Sequence, residues 1–269
     1  MEARSDNWVE TTIIFGGRVF DLFLLLFICV AAVLSMHLAR KGKLPKIRKL
    51  AALDAIKEGV GRATEMGRPV FFSPGITALN EVDAPQTIAG LGVLAYVASL
   101  TAKLKAALIV VVARATILPV AEEVVRAAYL KEGQIEALRP EMVRYLTDEQ
   151  FAYAQGSIGI MSRERAVSNI FMGNFMGESL ILAEAGYYTG AIQIAGTANR
   201  VQIPFFVVAC DYCLIGEELF AAGAYISQDA VQLGSMRGND FARTIVILLI
   251  LLGIVMSAVG LNIAQIFNV

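Results

Sequence analysis

Two long stretches of this chain carry no formal charge, and they limit its architecture more than any other feature. Residues 22–39 read LFLLLFICVAAVLSMHLA, and residues 244–269 contain no Asp, Glu, Lys or Arg. A helix needs roughly 20 apolar residues to cross a hydrocarbon layer about 30 Å thick. Inside lipid, a single segment satisfies its backbone amides only as a helix. The pattern predicts membrane-spanning helices over 19–39 and 244–264. A cleaved signal peptide begins with basic residues. Here Glu2, Asp6 and Glu10 precede the first stretch, and the positive charges follow it. A buried core helix is the competing reading for the second stretch, and the lack of charge through its whole length weighs against it.

The flanks predict orientation. Arg40, Lys41, Lys43, Lys46, Arg48 and Lys49 crowd one end of the first stretch, and Arg237 and Arg243 precede the second. Lys and Arg excess stays on the cytoplasmic side. The expected layout is a short outer N-terminus (1–18), a spanning helix (19–39), a basic juxtamembrane segment (40–49), a cytoplasmic domain (50–243), a second spanning helix (244–264) and an outer tail (265–269), all at the inner (plasma) membrane. The central 194 residues carry 15 basic and 20 acidic side chains, so the body is acidic and the basic run is a local feature suited to anionic headgroups. The whole chain is 57% hydrophobic and only 17% charged, with net charge −1. An ordinary soluble domain is about 45–50% apolar and about 25% charged. These values exclude a disordered chain, a basic nucleic-acid binder and a small disulfide scaffold.

Strand and helix patterns alternate through the body. Helices are expected over 50–66, from Asp83-Pro85 to about Lys105, from Pro119 to Lys131, from a Thr147/Gln150 capping box, over 178–185, and from Gly216-Glu217-Glu218 to about Ala224. Strands are expected over 70–73, 107–112, 143–146, 169–172 and 191–195, with one long strand within 205–215. Such alternation argues for βαβ units, hence an α/β, Rossmann-like three-layer domain with a mostly parallel sheet of about six strands.

Ligands of open parallel sheets bind beyond the carboxyl ends of the strands. The candidates are therefore the loops that follow each strand. They supply Ser73 and Gly75; Thr116; Gly173, Asn174, Gly177 and Glu178; Thr197 and Asn199; and Glu217. Asp211 joins them as a carboxylate near the end of the expected long strand, where it binds a ligand or caps a loop. Glycines before helix starts cradle phosphate through backbone amides, yet Glu178 and Glu217 at those same starts would repel it. Tight turns need glycine without any ligand. An acidic rim of Glu178, Glu184, Glu217 and Glu218 would suit a divalent cation only if the fold brought them together, and no metal site is assigned.

Other motifs are weak. Residues 90–95 match G-x-G-x-x-A, but inside a helix rather than directly after a strand, where small residues serve close packing. Cys210 and Cys213 form C-x-x-C within the expected strand, which favours buried structural cysteines over a redox motif at a helix start. The only histidine is His37, so a histidine-based triad is excluded, and G-x-x-x-x-G-K-[ST] and G-x-S-x-G are absent.

The stretch from about Gly67 to Gly234 resembles an uncharacterised bacterial membrane family, a domain of unknown function. The resembling pieces include Gly67-Arg68-Pro69-Val70-Phe71-Phe72-Ser73-Pro74-Gly75, Glu178-Ser179-Leu180-Ile181-Leu182-Ala183-Glu184-Ala185-Gly186, Ala191-Ile192-Gln193-Ile194-Ala195-Gly196-Thr197 and the run from Ile215 to Tyr225. The resemblance implies a membrane-attached bacterial protein and carries no activity. The leading expectation is a non-enzymatic, membrane-anchored scaffold, homo-oligomeric or holding a partner in a membrane complex, contacting lipid but not nucleic acid. The alternative is an enzyme or sensor using a nucleotide or another anionic cofactor at the strand ends. No specific cofactor is assigned, and a channel ranks last because the second stretch is almost wholly apolar.

Overall fold

The computed structural model describes residues 19–40, 50–227 and 230–258. The expected outer N-terminus, most of the basic segment and everything beyond 258 lie outside the described residues. In chain order the elements are α1 (Val19–Arg40), α2 (Ala51–Met66), β1 (Val70–Gly75), α3 (Ala84–Leu104), β2 (Leu108–Val112), α4 (Leu118–Lys131), β3 (Val143–Tyr145), α5 (Gln150–Glu164), β4 (Ser168–Asn174), α6 (Glu178–Tyr188), β5 (Ile192–Thr197), α7 (Ile203–Ala209), β6 (Tyr212–Ile215), α8 (Glu217–Ser227) and α9 (Ala230–Ala258). Two units emerge: a body that runs from α2 to α8, and a helical unit that holds α1 and α9.

The body is built on one all-parallel sheet of order β3-β2-β1-β4-β5-β6. β1, β2 and β4 are buried along their whole length, as strands covered on both faces must be. α2, α3, α4 and α8 lie on one face, and α5, α6 and α7 on the other. This is the doubly wound, Rossmann-like three-layer arrangement. On the second face Phe171 stacks on Phe206 with ring centroids 6.2 Å apart, and Phe175 meets Phe206 edge-on at 5.3 Å. That cluster ties β4 to α7.

Local chemistry explains the boundaries. α2 buries Leu53, Ile56, Val60 and Ala63 along one stripe and ends at Gly67, whose φ of +62° closes the last turn. α3 carries Pro85 in its first turn and buries Leu91, Leu94, Val97 and Ala98. Gly90 lets α3 lie directly on β4: a Cβ there would overlap the Met172 carbonyl oxygen. The G-x-G-x-x-A match is thus a packing contact within a helix. With 21 residues and a mean hydropathy of 1.5, α3 is long and apolar enough to cross a membrane, yet half of that span is buried inside the body.

Two sequence expectations fail. The long strand within 205–215 is instead α7, a bend and the short strand β6. Gln202 and Phe206 are the buried positions around α7, a helical spacing, while Val207 and Val208 are exposed. An apolar run of this length does not distinguish helix from strand by itself, and Pro204 in the first turn was the overlooked helix signal. The capping box at Thr147 is also replaced. Glu149 is the N-cap of α5, its carboxylate accepting the Phe151 and Ala152 amides.

In the helical unit, α1 and α9 pack against each other. Ala31 and Ala242 are buried, whereas large apolar side chains stand in the open. Leu25 is 64% exposed, Val33 66% and Ile254 62%.

Candidate functional site

In a sheet of this order the chain leaves β1 and β4 towards opposite faces, and the crevice between those strand ends is the expected binding place. Here the two strands stay in contact. Gly75 has φ +89°, and a Cβ on it would overlap the Asn174 carbonyl oxygen; a Cβ on Gly173 would overlap the Pro74 carbonyl oxygen. Pairing shifts register between Ser73 and Gly75, then continues as Ile76 N donates to Asn174 O at 2.9 Å. These glycines therefore serve a close backbone approach. Gly177, the N-cap of α6, has an ordinary helical φ of −60° and needs no glycine.

Beyond the closed crevice lies a polar network, buried at Thr77, Gln86, Asn174 and Thr197, half-buried at Asn199 and open to solvent at Asp83. Asn174 Nδ2 donates to Thr77 Oγ1 at 2.7 Å and to Asp83 Oδ2 at 3.2 Å. Asn199 Nδ2 donates to Asn174 Oδ1 at 3.3 Å and to Phe175 O at 3.1 Å. Gln86 Oε1 accepts from the Ala198 amide at 2.8 Å and from Thr197 Oγ1 at 3.3 Å. Gln86 Nε2 completes the ring to Asp83 Oδ1 at 3.4 Å. The loops after β1, β4 and β5 and the start of α3 are thereby fastened together. Thr77, Asp83 and Gln86 were not named among the site candidates. Asp83 was legible only as a helix opener, because nothing in the order of residues shows what it faces.

A second cluster sits beneath α5 and α6. Glu178 is fully buried, with Oε1 accepting the Met176 amide at 2.9 Å and Oε2 accepting Gln150 Nε2 at 2.6 Å. Burial raises its carboxyl above the usual range, opposed by those donated hydrogen bonds. Ser179 Oγ lies 2.6 Å from Gln202 Oε1. Ser73 is also interior: its Oγ meets Tyr153 OH at 2.7 Å, and Tyr153 donates to Val111 O at 3.0 Å. Burial raises the Tyr153 hydroxyl well above its ordinary value.

The other candidates are not drawn into these clusters. Thr116 is exposed in the turn before α4, and Glu217 is exposed in the first turn of α8. Asp211 requires a correction. It precedes β6 and so lies at the sheet's opposite end, with Oδ2 accepting the Gln193 amide at 2.8 Å. Its role there is the loop-capping alternative. Among the described residues, no group of three or more His, Cys, Asp or Glu could hold a metal ion.

Two cavities open near the strand N-termini instead. One of about 660 Å³ includes Lys105, Arg139, Arg144 and Glu164 in its walls; another of about 550 Å³ includes Glu58, Arg62 and Asp211. The first collects the C-terminal ends of α2, α3 and α5, whose carbonyls attract cations. Arg144 stands 3.6 Å from Glu164 across it. Arg144 also donates its Nε to the Glu141 carbonyl at 2.9 Å.

The network is thus a brace: Asn174, Asn199 and Gln86 spend their amides on Thr77, Asp83, Phe175 and Ala198, and the Glu178 carboxylate is held by the Met176 amide and Gln150. Comparison with curated proteins and with solved structures finds no match. A family model matches residues 10–267, nearly the whole chain, and the protein belongs to that family, DUF6754, a domain of unknown function.

Proposed function

We propose that this protein is a membrane-anchored α/β scaffold that assembles with copies of itself, its body tethered at both ends to the cytoplasmic face of the membrane. The observation that carries this reading is the exposed apolar surface of α1 and α9. Soluble proteins rarely leave contiguous apolar patches larger than a few hundred Å² uncovered, and here Leu22, Leu25, Leu26, Val30, Val33 and Leu34 are all exposed on one helix. At 1.5 Å per residue, the 22 residues of α1 extend about 33 Å, the thickness of a hydrocarbon core. Its only formal charges, Asp21 and Arg40, stand at its ends. A scaffold is favoured over an enzyme using an anionic cofactor because Asn174, Thr197 and Asn199, three of the groups expected to bind one, instead hold the loops together.

Membrane association is tested by washing membranes with alkaline carbonate and by protease treatment of inside-out vesicles. The protein stays in the pellet, and the body is digested only when the cytoplasmic face is accessible. Mass measurement in lipid nanodiscs shows more than one copy per particle. Release by carbonate sinks the anchor, and one copy per particle at every concentration sinks the assembly.

A further inference from the structure

The two ends of the sheet differ in how they use their charges. α3, α4, α5 and α6 each lead from the carboxyl end of one strand back to the amino end of the next, so their last turns and the connections that follow share one end of the body. That end carries Lys103, Lys105, Lys131, Arg139, Arg163 and Arg165, all exposed. The opposite end, made of the loops after the strands and the first turns of the helices, carries Glu81, Asp148, Glu149, Glu178 and Glu218 beside Arg114 and Arg200. Helix dipoles favour this polarity at both ends, but only the acids serve the backbone. The Glu81, Glu149, Glu178 and Glu218 carboxylates accept the amides of Ala78, of Phe151 and Ala152, of Met176 and of Ile215. Among the described residues, none of the six cations pairs with a carboxylate or donates to a carbonyl. The exposed acids without a partner at their end are three, Glu65, Glu136 and Glu141.

Leu104, Leu130, Tyr187 and Tyr188 stand exposed among these cations, the tyrosines by 69% and 78%. Leucine and tyrosine mixed with lysine and arginine suit a bilayer surface, where rings sit at headgroup depth and each cation meets anionic lipid. The chain also leaves the body towards this end. α8 runs beside α3 in the same direction: a Cβ on Gly92 would meet Gly223 at 3.8 Å, and Tyr96 interacts with Tyr225 further along both helices. α8 finishes at Ser227, two residues before α9, and the charge-free stretch of α9 begins at Thr244, about 21 Å along that helix. A tether of that length lets this end of the body reach a bilayer.

On the reading of the protein as membrane-anchored, we propose that the strand amino-terminal end of the body docks on the membrane surface, its free cations on the headgroups of anionic lipid and Leu104, Leu130, Tyr187 and Tyr188 at headgroup depth. Attraction at this end and repulsion at the acidic one turn the brace away from the membrane.

The full-length chain is reconstituted in nanodiscs of phosphatidylcholine and, separately, of phosphatidylcholine mixed equally with phosphatidylglycerol, and backbone hydrogen exchange is followed by mass spectrometry. Amides of residues 103–107, 131–139, 163–167 and 187–191 should exchange about fivefold or more slowly in the anionic discs. The difference should vanish in about 0.5 M salt, a test that needs no substitution. Amides of residues 114–118 and 216–219, at the opposite end, should exchange alike in both discs. The triple variant Lys103→Glu/Arg139→Glu/Arg163→Glu alters exposed, unpaired side chains and should lose the difference while β1 and β4 keep their protection. Equal exchange in the two lipids, a difference that survives salt, or slowing at the opposite end would overturn the docking. A chain that stays in both kinds of disc with equal exchange leaves the anchor standing, whereas a chain that separates from the discs overturns anchor and docking together.

Discussion

α1 and α3 are near twins in length, 22 and 21 residues, and both are rich in apolar side chains. α3 lies among strands and helices and buries Val93, Leu94, Val97 and Ala98 completely. α1 packs against α9, yet its leucines and valines are largely exposed. Apolarity alone therefore does not separate a helix that is buried in a core from one whose apolar side chains stay uncovered. The difference lies in where the small residues fall and what they touch. Gly90 lets α3 meet the β4 backbone, while Ala31 is the one buried position among the described side chains of α1, beside a broad apolar surface.

The largest expected effect breaks that contrast on the α3 side. Gly90→Val drives a side chain into the Met172 carbonyl, a backbone group that cannot swing away, and should destabilise the body by about 3 kcal/mol or more. Gly61→Ala in α2, where a Cβ meets nothing within 4 Å, should instead stabilise by about 0.5–1 kcal/mol. Urea melts of the two variants check both signs. On the α1 side, Leu25→Arg should cost about 2.5–3.5 kcal/mol of membrane insertion while leaving the body's urea transition unchanged. A shifted transition with intact insertion would mean that α1 is part of a soluble core.

The brace comes next in size. Asn174→Ala removes one side chain that serves Thr77, Asp83 and Asn199, and should cost about 1–3 kcal/mol in the same melt. The smallest effect is a pH dependence. Burial raises the Glu178 carboxyl in the folded body, so the folded state holds a proton that the unfolded chain has already released. Its contribution is fully present below the unfolded value of about 4.3 and is lost as pH rises through the folded one. Glu178→Gln should flatten that decline. Glu149 has the opposite sign: its carboxylate, held low by the Ala152 and Phe151 amides, stabilises α5 less as pH falls.

Much of the fold was legible because local signals agreed. Val110-Val111-Val112 reads as a strand buried on both faces, Pro85 and Pro119 open helices, and Gly67 closes one. The failure at 205–215 came where the local signals conflicted, a β-branched run behind a proline. The site was legible only as a set of loops. Asn174, Thr197 and Asn199 do meet, but Asp211 does not, because its end of the sheet depended on reading α7 as a strand.

By itself, then, the order of residues determined the alternation of strands and helices, the doubly wound class and the two charge-free stretches. Each follows from periodicity, capping and turn chemistry acting over a few residues. Tertiary structure alone decided that Gly75 and Gly173 close the crevice, that Gln86 reaches the Ala198 amide, and that the run expected as one strand within 205–215 folds as α7 and β6. Those outcomes depend on which surfaces meet across tens of residues, and contact at that range is set by packing and hydrogen-bond satisfaction throughout the body.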